Sequence, residues 1–269
     1  MRSQPQILLN TPQIEAWPAW LLRARSNRDA RGLARACWVL RRKRDGRYLA
    51  AALPEGWMGL DPHWTREPGI DAALDAADAP LPHLGARRPA TLPLHRLRDR
   101  LYGLGLGADD YDADDYGARS GLALEPEPAW LAFAGFDRYR RPLWLDPNAA
   151  RAWLRMRAAA YADGVVLEAI SGYRSHDYQL GIFERKRARG QSIAQILTVN
   201  AAPGYSEHHS GMALDIGAPG EPPAEESFEH TAAFAWLRAN APAHGARMSY
   251  PRDNPHGIVY EPWHWRFIV

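Results

Sequence analysis

Three short segments, all after residue 170, concentrate side chains that can do chemistry. They are Ser171-Gly172-Tyr173-Arg174-Ser175, the run from Ser206-Glu207-His208-His209 to Asp215-Ile216, and Tyr260-Glu261-Pro262-Trp263-His264-Trp265-Arg266. Singly, each has a bland account. A histidine is usually a surface or hydrogen-bonded core residue, and an acid before proline is usually exposed. Together they point further. Asp215 interrupts the apolar run Met212-Ala213-Leu214-Asp215-Ile216, where a carboxylate is costly to bury without a partner. A metal ion would compensate it. Two imidazoles and one carboxylate make a catalytic zinc set, with a fourth position left for water. Zinc lowers the pKa of such a water to about 7. The same trio also holds iron in oxygenases, but the short Glu-x-x-His spacing argues against that chemistry.

A free carboxylate beside the metal serves as general base and then as proton donor. Glu261, three residues before His264, is the candidate. On an ideal strand these two side chains face opposite ways. Pro262 between them predicts an irregular strand start that brings both into one pocket. His208 and His209 compete for one ligand position, because neighbours on an extended segment point apart.

These motifs resemble those of the LAS zinc peptidases, and within them the VanY-like D-alanyl-D-alanine carboxypeptidases. The resemblance covers roughly residues 140–269 and rests on Ser-Gly-Tyr-Arg-Ser, Ser-Glu-His-x-x-Gly-x-Ala-x-Asp-Ile and Glu-Pro-Trp-His-Trp-Arg. It implies that His208, Asp215 and His264 hold Zn2+, with His208 preferred to His209, and that Glu261 is the catalytic base. It implies that Arg174 steadies the substrate carbonyl as it becomes an oxyanion, and that Ser206, Gln179 and Tyr173 line the substrate site. Glu207 is expected to be structural, bonded to a motif backbone or an arginine. His244 and His256 are expected at the surface or behind the site. The implied substrate is a peptidoglycan stem peptide or muropeptide losing its terminal D-alanine. An L,D-carboxypeptidase or a D,D-dipeptidase would use the same metal set. A silent peptide-binding module would have no need of Glu261.

The elements that must carry these residues are partly readable. Asp146-Pro147 opens a helix over Asn148–Asp163 that Gly164 ends. Ser175 begins another, running to about Arg189, and Phe228–Asn240 reads as a third. Val165–Ile170, Met212–Ile216, Arg247–Tyr250 and Trp263–Ile268 read as strands. Strands and helices do not alternate strictly, so the expected class is α+β, a mostly antiparallel sheet flanked by helices.

Residues 1–139 match no catalytic motif and form an N-terminal accessory region, with the peptidase domain at 140–269. Within the first region, residues 1–35 read as one or two short helices around Pro18. Two apolar runs about Asp45-Gly46 read as a hairpin over 37–53, with Arg41–Arg47 its solvated end. No clean period shows over 54–100. Trp130–Leu145 reads as a short helix, then a break at Gly135 and a turn. Gly103-Leu104-Gly105-Leu106-Gly107 lacks the Lys-Ser/Thr of a phosphate loop. The acidic run Asp110–Asp115 lacks the glycine and glutamate of a calcium loop.

Composition bounds the rest. The 269 residues allow one large or two modest domains. The net charge of +2 gives no field for nucleic acid. Only Lys43 and Lys186 are lysines, the remaining basic residues being arginine, a bias that a GC-rich gene produces without function. Cys37 is the one cysteine, which excludes an intramolecular disulfide and a cysteine-rich metal site. No run approaches the roughly 18 apolar residues of a membrane span. Without an apolar leader, the expected location is cytoplasmic as written, or periplasmic for a trimmed chain. An envelope substrate requires export, whereas a cytoplasmic enzyme would meet recycled muropeptides or free D-Ala-D-Ala.

Overall fold

The computed structural model describes residues 5–24, 26–82, 88–94, 97–104, 106 and 113–269. Gly105, Gly107 and Asp110–Asp112 of the two glycine-rich and acidic runs lie outside these residues. The strands are β1 Ile7–Asn10, β2 Ile14–Pro18, β3 Trp38–Arg42, β4 Tyr48–Leu53, β5 Gly56–Gly59, β6 Trp130–Phe136, β7 Pro142–Leu145, β8 Glu168–Ser171, β9 Ala213–Gly217, β10 Ala246–Met248 and β11 His264–Phe267. The helices are α1 Asn27–Leu33, α2 Ile70–Asp78, α3 Leu97–Gly103, α4 Ala113–Ser120, α5 Pro147–Ala162, α6 His176–Ala188, α7 Ile193–Leu197 and α8 Ala232–Asn240. No helix among the described residues is long and apolar enough to cross a membrane.

Two antiparallel sheets make the α+β frame. One has seven strands in the order β5-β4-β3-β2-β1-β6-β7, and the other four in the order β10-β11-β9-β8. Between them α5 buries Trp153 and Met156 against Leu145 of the first sheet and Leu214 and Trp265 of the second. Asp146 caps α5 by accepting from Asn148 N–H, with Pro147 at its first turn, as the sequence predicts. Ser175 caps α6 by accepting from Tyr178 N–H. The β3–β4 hairpin forms about Asp45-Gly46, and the four expected strands of the C-terminal half fall within three residues of their places.

Three expectations fail in the N-terminal half. Among the described residues up to 35, two strands come first, and the helical part is a 3-10 turn at Ala19–Leu21 after Pro18 followed by α1. Trp130–Leu145 is a β-hairpin, not a helix. The physical reason is shared: β1 and β6 are inner strands of the large sheet. Leu8 pairs with Leu131, and Ala132 with Leu145. Strands covered on both faces lose the polar alternation that marks a strand in sequence. The third concerns the basic hairpin end. Arg44 is exposed, but the Lys43 side chain has 0% relative exposure and is ion-paired with Glu127.

Glu127 ties residues of the N-terminal half to the segment that carries Arg174. Its carboxylate accepts from Lys43 Nζ, from Tyr173 Oη at 2.7 Å, from His176 N–H at 2.8 Å and from Asn10 Nδ2 at 3.2 Å. Burial alone would raise its pKa, but Lys43 and His176 outweigh burial and hold it well below the usual range. Its stabilising contribution is therefore present at neutral pH and lost as acid protonates it. We expect Glu127→Ala to lower the unfolding free energy in urea by about 3–5 kcal/mol at pH 7, because Lys43 is left buried without a partner. A loss below about 1 kcal/mol would show that the pair contributes little.

Candidate active site

Strand pairing sets the first two chemical groups side by side. Every residue of β9 is buried, and its register with β11 places Asp215 opposite His264. Directly opposed residues on antiparallel strands share a face. The third group arrives from a 3-10 turn at Glu207–Ser210, which buries His208 and His209. Gly211 ends that turn at φ 71, where a Cβ would lie 2.6 Å from Leu131 Cδ2 and 2.8 Å from Asp146 N. No larger residue fits without displacing backbone of the neighbouring hairpin.

Hydrogen bonds fix the orientation of both imidazoles. His208 Nδ1–H donates to the Gly172 carbonyl at 2.7 Å, so Nε2 carries the bare lone pair. That Nε2 is fully buried, finds no hydrogen-bond partner, and lies 3.3 Å from Asp215 Oδ1. Gly172 itself packs closely on β7, where a Cβ would meet the Trp144 carbonyl at 2.8 Å. His264 Nε2–H donates to Glu207 Oε2 at 2.9 Å, and its Nδ1 lies 3.1 Å from Asp215 Oδ1. One donor atom from each of His208, Asp215 and His264 falls within 4.8 Å of the others. A tetrahedral ion with bonds of about 2.0–2.1 Å requires donors about 3.3–3.4 Å apart. The two edges to Asp215 already have nearly that length, so the residues present fit a metal ion. His209 does not compete. Its Nδ1–H donates to the Arg174 carbonyl at 2.7 Å and its Nε2 accepts from Gly204 N–H at 3.0 Å.

Glu261 reaches the same cavity through a turn. His264 N–H donates to the Glu261 carbonyl at 3.1 Å, which folds residues 261–264 back and leaves Glu261 Oε2 3.8 Å from His264 Nδ1. The irregular strand start expected from Pro262 is this turn. Burial pushes the Glu261 carboxyl up to about 7, against the pull of His264. Burial likewise lowers His208 to about 4, with Arg174 adding to it, so His208 is neutral at neutral pH. His264 behaves oppositely. Burial would lower it, but its bonds to Asp215 and Glu207 prevail and raise it to about 10.

Arg174 stands across the cavity. Its Nη2 lies 3.2 Å from Asp215 Oδ2, and its Nη1 donates to Gln179 Oε1 at 3.4 Å. Gln179 is itself anchored by Nε2 to the Ala201 carbonyl at 2.9 Å, so it positions Arg174. Ser206, Gln179, Arg174, Glu261 and the donor trio all line a cavity of about 520 Å³, within the usual range for a small-ligand site. Tyr173 does not line this cavity, which corrects its expected place. Its hydroxyl points away from the cavity, donating to Glu127 and accepting from Asn10 Nδ2 at 3.0 Å.

Glu207 does more than the sequence reading allowed. Arg266 is 3.3 Å away, as an arginine partner was expected, but its shorter bonds are to Ser249 Oγ at 2.6 Å and to His264. It fixes which nitrogen of His264 is free, the task of a carboxylate behind a metal-bound imidazole. Its place directly before His208 was the available signal. His256 and His244 lie elsewhere, the first bonded to the Ser120 carbonyl and the second stacked on Trp236.

This donor set fits a metal ion with a buried carboxyl beside it. Residues 142–269 match the family model described as VanY, D-alanyl-D-alanine carboxypeptidase. The chain is 30% identical over 153 residues to VanXYC of Enterococcus gallinarum, a bifunctional D-Ala-D-Ala dipeptidase and carboxypeptidase, covering 55% of this chain and 78% of that protein. It is 36% identical over 138 residues to YodJ of Bacillus subtilis (strain 168), covering 49% of this chain and 50% of YodJ. Among solved structures it is similar to a vancomycin-resistance D,D-pentapeptidase VanY in complex with Zn(II), at 29% identity and TM-score 0.41, covering 56% of this chain and 82% of that one. The chain belongs to the VanY family of D-alanyl-D-alanine carboxypeptidases. It spans about half the length of YodJ.

Metal binding must displace a proton. With its pKa near 10, His264 is an imidazolium at pH 7.5, and its Nδ1 becomes a ligand only when deprotonated. We expect titration calorimetry with Zn2+ at pH 7.5, in buffers of different ionisation enthalpy, to report release of at least one proton. Binding with no proton released would show that His264 is already neutral before the metal enters.

Proposed function

We propose that this chain is a zinc-dependent D-alanyl-D-alanine carboxypeptidase that hydrolyses the terminal peptide bond of peptidoglycan stem peptides. The observation that carries the reading is the bare, buried Nε2 of His208, facing Asp215 and His264 Nδ1 in the cavity that also holds the Glu261 carboxyl. A Zn2+ held by these three donors would supply a Lewis acid toward the scissile carbonyl and a water of lowered pKa. Glu261 takes the proton from the attacking water and passes it to the leaving amine. Arg174, aimed by Gln179, donates to the carbonyl oxygen as negative charge develops there. Its planar fork can serve Asp215, Gln179 and substrate together, which a lysine could not.

Residues 140–269 are the catalytic unit in this reading. The accessory region braces it through Asn10, Lys43 and Glu127, which together grip Tyr173 and His176 on either side of Arg174 and Ser175.

The test pairs metal analysis with release of D-alanine from a pentapeptide ending in D-Ala-D-Ala, a tetrapeptide ending in one D-Ala, and the free dipeptide. The expected outcome is about one zinc per chain and chelator-sensitive cleavage of the pentapeptide. Preferred cleavage of the tetrapeptide would make the enzyme an L,D-carboxypeptidase, and zinc without any cleavage would make it a binding module. Glu261→Gln should keep its zinc and lose about 10²–10⁴-fold in kcat, whereas His264→Ala should lose the zinc. Full turnover in the Glu261 variant would remove that residue from the mechanism.

A further inference from the structure

Among the described residues, three non-histidine cationic side chains line the active-site cavity: Arg141, Arg174 and Lys186. Two of them are committed. Arg174 is held by Asp215 and Gln179. Arg141 donates from Nε to Asp137 at 2.5 Å and from Nη2 to the Ile170 carbonyl at 3.1 Å. Lys186 differs. Its Nζ donates to Asn200 Oδ1 at 2.6 Å, and among the described residues no carboxylate lies within ion-pair distance of it. An ammonium has three donors, so two remain for a ligand.

Its position follows from helix geometry. Gln179, Ile182 and Lys186 fall on one face of α6 and all three line the cavity. Seven residues of helix separate the level of Gln179, beside Arg174, from that of Lys186 by about 10 Å. Lys186 lies within the electrostatic reach of both Glu261 and Arg174. The cavity wall next to it includes Ile182, Val199 and Val259, apolar surface suited to a methyl side chain.

A peptide whose last bond is cut in this site carries its terminal carboxylate one residue beyond the scissile carbonyl, about 3.8 Å further by Cα spacing. That carboxylate enters a cavity already holding two acids, Asp215 and Glu261. Like charges in a partly buried site repel, so a cation without a carboxylate partner of its own favours binding there. We infer that Lys186, steadied by Asn200, binds the free terminal carboxylate of the substrate and thereby restricts the enzyme to chain ends. The inference rests on the carboxypeptidase reading and adds to it the residue that reads the end. The choice of side chain is also unusual for this chain, which uses lysine at only two positions, the other being the buried Lys43.

The experiment compares zinc-loaded full-length enzyme and its Lys186→Gln and Lys186→Arg variants on two pentapeptides ending in D-Ala-D-Ala, one with a free C-terminus and one amidated. The wild type should prefer the free acid. Lys186→Gln should lose about 10–100-fold in kcat/KM on the free acid, the effect of one charge-assisted hydrogen bond, chiefly through KM. It should leave the amide unchanged, so that the preference collapses. Lys186→Arg should restore part of it. A Lys186→Gln enzyme that keeps its preference would overturn the inference, as would an equal loss on both peptides, which marks a structural role. Either result leaves the peptidase reading standing. If the zinc-loaded wild type cleaves neither peptide, the peptidase reading fails and the inference falls with it.

Discussion

A single buried carboxylate constrains the C-terminal half of this molecule. Asp215 sits mid-strand on β9 between apolar neighbours, all of them buried. A charge there is tolerable only when matched by opposite charge and hydrogen bonds. His264 and Arg174 match it at 3.1 and 3.2 Å, and the neutral His208 presents its bare Nε2 3.3 Å from the same carboxylate. Each comes from a different element: a 3-10 turn, the neighbouring strand, and the loop before α6. The carboxylate therefore joins the neighbouring strand to the loop before α6 and draws the 3-10 turn up beside them. The same convergence leaves one imidazole lone pair without a partner, and this orphan distinguishes a metal site from an ion-pair cluster.

Around that centre, a second ring of contacts orients each group. The Gly172 carbonyl turns His208, Glu207 turns His264, and Gln179 holds Arg174. Such partners govern ligand geometry as much as the ligands themselves do. Further out, Glu127 gathers Asn10, Lys43, Tyr173 and His176 into one buried network. The N-terminal strands of the large sheet, which also takes in β7, thus reach the arginine loop through a charged, hydrogen-bonded joint. A charged joint of this kind loses strength when either partner is removed, and apolar packing around Trp144 and Leu131 supports it.

What the sequence made legible follows from range. Helices α5 and α6 carry their own start signals, Asp146-Pro147 and Ser175, and both form where those signals stand. The chemistry-bearing residues were legible because Asp215 contradicts its apolar surroundings and Glu261 and His264 stand close in sequence. The inner strands were not legible, because Ile7–Asn10 and Trp130–Phe136 are each paired on both sides, with a local neighbour and with each other across more than a hundred residues, and so lack polar alternation. Lys43 looked like one more solvated base because its partner Glu127 is 84 residues distant. Tyr173 was misplaced for a related reason: adjacent residues of an extended loop point apart, so Arg174 faces the cavity and Tyr173 faces Glu127.

The account turns on a metal ion held by two imidazole nitrogens and the Asp215 carboxylate. X-ray absorption at the zinc edge, on protein loaded with one equivalent of Zn2+ and dialysed, tests this most directly. The predicted spectrum shows a four-coordinate shell of nitrogen and oxygen at about 2.0–2.2 Å, with the outer-shell scattering of two imidazoles. An oxygen-only shell, or zinc that washes out on dialysis, would contradict it.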